Sequence, residues 1–237
     1  MSGAAWLSYS LQDFLMFGPE VFLRLFVRIN QDIWPWQFLI VPLGLAVPWM
    51  VCRPEIAWRR LALVVVAAAW IASGFGFLVS YFGEINWPAA WMGWAFTGQG
   101  ILLAVLAFTG DMTRFSSVRA GWFTVFWLVS VLLLPWLAVL ESGQLRALAL
   151  FGLTPGVTVA ASALLVRLPG RTAFWLLLPV PAFWMLFSAA TSWTLQTYWL
   201  LLIPLASLVF GGAGFWLSPR PVQSPDRQCA RHDPARQ

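Results

Sequence analysis

Between Tyr81 and Trp94 the chain reads YFGEINWPAAWMGW, its densest run of side chains able to recognise a ligand. Glu84 brings a carboxylate, and Asp32 upstream brings a second. Two carboxylates held together could share acid and base roles; the plainer reading is two solvated surface charges. Asn30, Asp32, Trp34, Tyr81, Glu84 and Asn86 together form a candidate patch for a ligand or partner. The competing account is helix capping plus the aromatic belt that membrane proteins carry at their interfaces. Trp87, Trp91 and Trp94 recur at i, i+4 and i+7 and so share one helix face. Such a ladder could stack a flat apolar cofactor, namely a quinone, a carotenoid or another pigment, or hold a bound lipid. Packing against helices or lipid is the alternative. Gln99 follows on the same helix; a lone amide at that depth ordinarily bonds a neighbouring helix.

Other chemistries lack their residues. His232 is the only histidine, and Cys52 and Cys229 are far apart with no metal or redox spacing. No Ser-His-Asp or Cys-His set can assemble. No metal centre and no haem held by paired histidines is expected. The central parts of the apolar runs hold no Asp, Glu, Arg or His, which disfavours a proton-coupled pump or an ion-coupled carrier.

The elements that must position these groups follow from composition. Of the 237 residues, 60% are hydrophobic and only 10% charged, where a soluble domain carries about 25% charged residues. The natural solvent for so much apolar surface is lipid. The fold expected is all-α: a polytopic transmembrane bundle of about seven spans, preceded by a short amphipathic interfacial helix. The spans run roughly 34–52, 61–82, 88–109, 120–140, 147–166, 172–190 and 196–217, each long enough at ~1.5 Å per residue to approach ~30 Å of hydrocarbon. The fifth and sixth are the shortest and contain Pro155, Pro179 and Pro181. Pro42, Pro48, Pro135 and Pro204 interrupt others. Broken helices occur at transporter sites, but proline is common in membrane helices generally.

Three regions result: an extracytoplasmic segment 1–33, the membrane domain 34–217, and a tail 218–237 with almost nothing to bury, expected to be disordered. In the first, Ser10-Leu11-Gln12-Asp13 has the form of a capping box. No cleaved signal peptide is read there. Pro19 can start a helix in which Glu20, Arg24 and Arg28 share a face. This helix lies either on the membrane surface or on the protein's own helices. Ile33-Trp34-Pro35 and Asn86-Trp87-Pro88 open the first and third spans in similar ways, a faint internal echo. Ala68, Ala72 and Gly76 make a small-residue stripe that permits close helix approach, and Ser207 and Gly211 begin another.

Arginine sets the orientation. There is no lysine. Arg24, Arg28 and Arg146 fall on one side; Arg53, Arg59, Arg60, Arg114, Arg119, Arg167, Arg171, Arg220, Arg227, Arg231 and Arg236 fall on the other. The positive-inside rule then puts the N-terminus outside and the C-terminus in the cytoplasm. The basic charge reads as topology and attraction to anionic lipid, not as nucleic-acid binding. Both cysteines fall on the cytoplasmic side, where a disulfide is not expected.

Residues 8–46, SYSLQDFLMFGPEVFLRLFVRINQDIWPWQFLIVPLGLA, and the later Ile85-Asn86-Trp87 resemble a family of bacterial integral-membrane proteins known only as a domain of unknown function. The likeness covers roughly the first hundred residues. It implies a bacterial inner-membrane setting and no activity. Some members carry a histidine near the position of Leu78, so no histidine-dependent role carries over to this chain. The expected function is a non-catalytic accessory or structural subunit of an inner-membrane complex of respiratory or photosynthetic type. It would bind partner subunits, lipid or a flat apolar cofactor. The alternative is a small transporter or channel for a neutral solute; an enzyme acting on lipids is least favoured.

Overall fold

A computed structural model describes residues 17–110, 117–165, 168 and 171–217. The Ser10–Asp13 capping box, the 218–237 tail with Cys229 and His232, and Arg114 and Arg167 lie outside these residues. The described residues are mostly helical and contain no strand.

Helix α1 (Pro19–Asp32) starts with proline at its first position, where a missing N–H costs no helical bond. Phe22, Leu25, Phe26 and Ile29 are buried, while Glu20, Arg24 and Arg28 face out. Of the two placements open to this helix, the protein's own helices receive its apolar stripe: Phe22 meets Phe82 with ring centroids 5.2 Å apart, and Phe26 meets Phe77 at 5.4 Å. After a bend of 101° the chain enters α2 (Gln37–Cys52). The Trp34–Pro35 peptide, which is cis, lies in the bend, and α2 opens at Gln37.

Helix α3 (Ile56–Ile85) and helix α4 (Trp87–Thr109) form a tight antiparallel hairpin. From Ala72 to Phe82 α3 is wound as a π-helix. The two backbones touch where glycines permit: a Cβ on Gly93 would lie 2.8 Å from the Gly74 carbonyl oxygen, and one on Gly100 2.8 Å from that of Ala67. Removing the side chain is what lets membrane helices approach so closely. The stripe Ala68, Ala72, Gly76 does not make this contact. Ala68 and Ala72 are exposed, and Gly76 has open space where a Cβ would be.

Helix α5 (Arg119–Ser142) takes a π turn at Val129–Leu133, ahead of Pro135. Helix α6 (Pro155–Leu165) is short and buried nearly all round, with Pro155, Val157, Thr158, Val159, Ala160 and Ala161 inside the bundle. Helices α7 (Ala173–Thr194) and α8 (Leu202–Leu217) complete the chain.

The lengths depart from seven uniform spans. Helices α3, α4, α5 and α7, of 30, 23, 24 and 22 residues, are long and apolar enough to cross a membrane, and α1 with α2 counts as a fifth if that bent pair is one span. The expected 147–166 span is helical only at Leu145–Ala147 and from Pro155 onward. Pro155 has no N–H to bond back along a helix and disfavours helical backbone at Thr154, which is extended, and Gly152 has a φ of +80°, a conformation that L-residues other than glycine rarely take. Residues 148–154 therefore form a non-helical leg inside the protein. Its polar backbone groups find partners there, as groups out of reach of water must. Ala149 N–H donates to the Pro135 carbonyl (3.2 Å), Gly152 N–H to Thr158 Oγ1 (3.0 Å) and Asn30 Nδ2 to the Leu148 carbonyl (2.8 Å).

Candidate functional site

The candidate residues separate into four places. The first sits where α1 meets the end of α3. Arg28 Nη1 donates to Glu84 Oε2 at 3.0 Å, and its Nε lies 3.9 Å from Asp32 Oδ2. The Tyr81 hydroxyl donates to Asp32 Oδ2 at 2.7 Å, and the Arg28 guanidinium sits 5.0 Å from the Tyr81 ring centre. Asp32, Tyr81 and Glu84 are thus brought together, as a patch requires. Arg28, read from the sequence as a topology signal, is their hub. An arginine between two carboxylates makes a clamp and not an acid–base pair. The side chains are half exposed, so the clamp fastens α1 to the bundle with modest energy.

Asn30 belongs elsewhere. It lies inside α1 and its amide bonds the carbonyls of Phe26 (2.8 Å), Arg146 (3.1 Å) and Leu148 (2.8 Å). Trp34 is exposed, edge-on to Phe38 at 5.2 Å, and with Asn30 and Arg146 it lines a shallow groove. Asn86 is the extended residue before α4, with no side-chain cap bond. The echo between the two Trp-Pro segments has no structural counterpart: one lies in the bend ahead of α2, the other starts α4.

The tryptophan ladder and Gln99 also part. Trp87, Trp91 and Trp94 are 71%, 70% and 55% exposed, while Gln99 is 5% exposed. At ~100° per residue, Gln99 lies roughly 80–140° around α4 from the three rings. The three rings face outward while Gln99 faces into the bundle. Gln99 Nε2 donates to the Leu177 carbonyl at 2.7 Å. That carbonyl lacks its helical donor because the residue four positions on is Pro181, which has no N–H. The same pairing recurs at the Gly44 carbonyl, four residues before Pro48, which accepts from Trp127 Nε1 at 2.9 Å. Two prolines and two buried donors are thus matched sets. Nothing in the spacing of Gln99 and Pro181 along the chain announces this.

Gln99 also faces a cavity of about 250 Å³ whose walls include Trp70, Leu103, Ser162, Leu177 and Ser207. Its polar side is ordered: Trp70 Nε1 donates to Ser162 Oγ (3.0 Å), which donates to the Thr158 carbonyl (2.7 Å). Leu208 and Gly211 also line it, and Leu208 is exposed. Trp70 and Ser162 were not among the sequence candidates. The available signal was helical phase, since Gln99 shares its face of α4 with Met92, Phe96 and Leu103, all buried. Among the described residues no group of three or more His, Cys, Asp or Glu could hold a metal ion.

Long apolar helices, proline breaks closed by buried donors and an apolar cavity with an amide on its wall define a helical membrane protein with a built interior. The chain belongs to a family of unknown function (DUF6064), whose profile matches residues 19–211. That range extends well past the first hundred residues that carry the resemblance. No curated protein and no solved structure matches the chain.

Proposed function

We propose that the protein is a non-catalytic subunit of a bacterial inner-membrane complex that holds an amphiphilic apolar molecule in the Gln99 cavity. The observation that carries this is the cavity itself: about 250 Å³, apolar apart from the Gln99 amide and the serine and tryptophan groups beside it. Binding sites for small molecules combine apolar walls with a few placed polar groups in this way. One N–H of the Gln99 amide is committed to Leu177; the other is available to an acceptor. A ring bearing a carbonyl, as in a quinone head group, matches both the volume and the donor. An apolar tail would leave past Leu208 and Gly211. The tryptophan ladder, facing outward, is left for lipid or a partner subunit.

The test is mass spectrometry of organic extracts from the natively purified protein. A stoichiometric apolar molecule is expected in the wild type and is lost in Leu103→Trp, which fills the cavity. Equal recovery from both proteins would sink the proposal.

The orientation proposed is N-terminus outside and C-terminus cytoplasmic, with seven crossings in which α2, α6 with its extended leg, and α8 use short helices. Direct contacts gather the segments that this path puts on one side: Arg28 with Glu84, Asn30 with the Arg146 carbonyl, and Glu141 Oε2 accepting from the Trp199 N–H at 2.8 Å. An impermeant thiol reagent should leave Cys229 unlabelled in spheroplasts of a Cys52→Ser strain; labelling would reverse the orientation. A second reading, a transporter for a neutral solute, is favoured by the buried break ahead of α6, since discontinuous helices line transporter sites. Solute flux in proteoliposomes would establish it.

A further inference from the structure

Helix α6 begins inside the protein, and its start is uncapped. Thr154 occupies the N-cap position, yet its hydroxyl donates backwards to the Leu150 carbonyl (3.1 Å) and makes no cap bond. The Thr154 N–H goes to the Leu150 carbonyl (3.0 Å), and Pro155 has none to offer. The next two, on Gly156 and Val157, belong to the first turn, whose donors have no helical acceptor. The helix regains its ladder only at Thr158 N–H, bonded to the Thr154 carbonyl. These two orphan donors and the positive end of the helix dipole meet a small cavity lined by residues 154–157.

A second observation lies at the wall of the same cavity. Trp184 is only 6% exposed, lines it, and its Nε1 has no hydrogen-bond partner. The contrast with the other buried indoles is direct, since Trp70 and Trp127 both donate to partners. A buried donor left unpaired bears its full desolvation penalty, so such a group calls for an occupant. Ser188 and Ser192 add hydroxyls to the lining, and Phe22, Phe26 and Phe77 complete it. No acidic or basic side chain lines the cavity.

We propose that this cavity binds one small monovalent anion of halide size. Its volume is about 40 Å³, where a water needs ~10–15 Å³ by the same kind of measure. That excludes a phosphate ester or a lipid carboxylate with its chain. Neutral donors without an arginine suit a single negative charge. Charge-assisted bonds from N–H and O–H groups are the strong class. The site is separate from the Gln99 cavity and stands whether or not that cavity holds a ligand.

The experiment is equilibrium binding of radiolabelled chloride to the full chain in detergent, in a gluconate buffer of constant ionic strength. Saturable binding of one chloride per chain is expected, competed by bromide and not by sulfate. Trp184→Phe should weaken it at least tenfold, and Ser188→Ala several-fold. Gln99→Leu should leave it unchanged, which keeps this result distinct from loss of the apolar ligand. Should Trp184→Phe not fold, Ser188→Ala decides, because it removes one oxygen and little else. A cavity holding water alone would show no saturable chloride, and that result overturns the proposal. So would chloride binding indifferent to both substitutions.

Discussion

Helices α4 and α6 both open beside a proline and both are apolar, yet they occupy opposite surroundings. Helix α4 turns its largest rings, Trp87, Trp91 and Trp94, outward and keeps Gly93, Gly100 and Gln99 inside. Helix α6 carries no aromatic residue and is buried nearly all round. In water the large apolar groups would go inside. In lipid, exposing a tryptophan has no such penalty, and what drives helices together is close packing and hydrogen bonding. Where backbones come closest, at the α3–α4 contact and around α6, small and hydroxylated residues therefore mark the interior. By that rule PGVTVAAS is an interior sequence on every face, and WPAAWMGW is interior on one face only.

The largest test of this contrast compares two glycines of α4. Gly100→Val puts a branched side chain against the α3 backbone and should cost about 3 kcal/mol or more, at or beyond the upper end for overpacking. Gly98→Ala, with nothing within 4 Å, should stay within about 0.5 kcal/mol. Denaturant unfolding in micelles measures both, and equal costs would remove the interior–exterior distinction.

Next in size is the proline pairing. Gln99→Leu strands the Leu177 carbonyl and should cost about 1–3 kcal/mol. Adding Pro181→Ala supplies a helical donor to that carbonyl, so the double variant should recover most of the loss. Additive losses in the double-mutant cycle would mean that Gln99 acts through something else.

Arg28→Ala cuts the clamp to Asp32 and Glu84. Since these side chains are half exposed, the expected loss is about 0.2–1 kcal/mol, shrinking as salt is raised. A loss that is insensitive to salt would point to packing and not charge. Smallest of all, Trp91→Ala should leave the melting temperature of the isolated chain nearly unchanged while weakening retention of membrane partners in a native pull-down. Full retention would assign the ladder to lipid alone.

Much of the frame was legible from residue types. Hydropathy located the long helices α3, α4, α5 and α7. The Glu20–Arg24–Arg28 spacing identified the amphipathic face of α1, and the i, i+4, i+7 rule placed three tryptophans on one face. The grouping of Asp32, Tyr81 and Glu84 also emerged, though without Arg28 as its centre. What stayed hidden was longer in range. Asn30 bonds a carbonyl 118 residues away and Gln99 one 78 residues away. Such pairs leave no periodic trace. The stripe Ala68–Ala72–Gly76 misled for a related reason: small spacing says that helices can approach, and it does not say which face does so.

Sequence alone determined that this chain is helical and lies in lipid, because each residue's preference for hydrocarbon is a local property that sums along a segment. Only the tertiary structure decided which polar groups meet: an amide with a carbonyl orphaned by proline, an arginine with two carboxylates. Those meetings depend on how helices rotate and stack, and rotation is set jointly by all the neighbours of a helix.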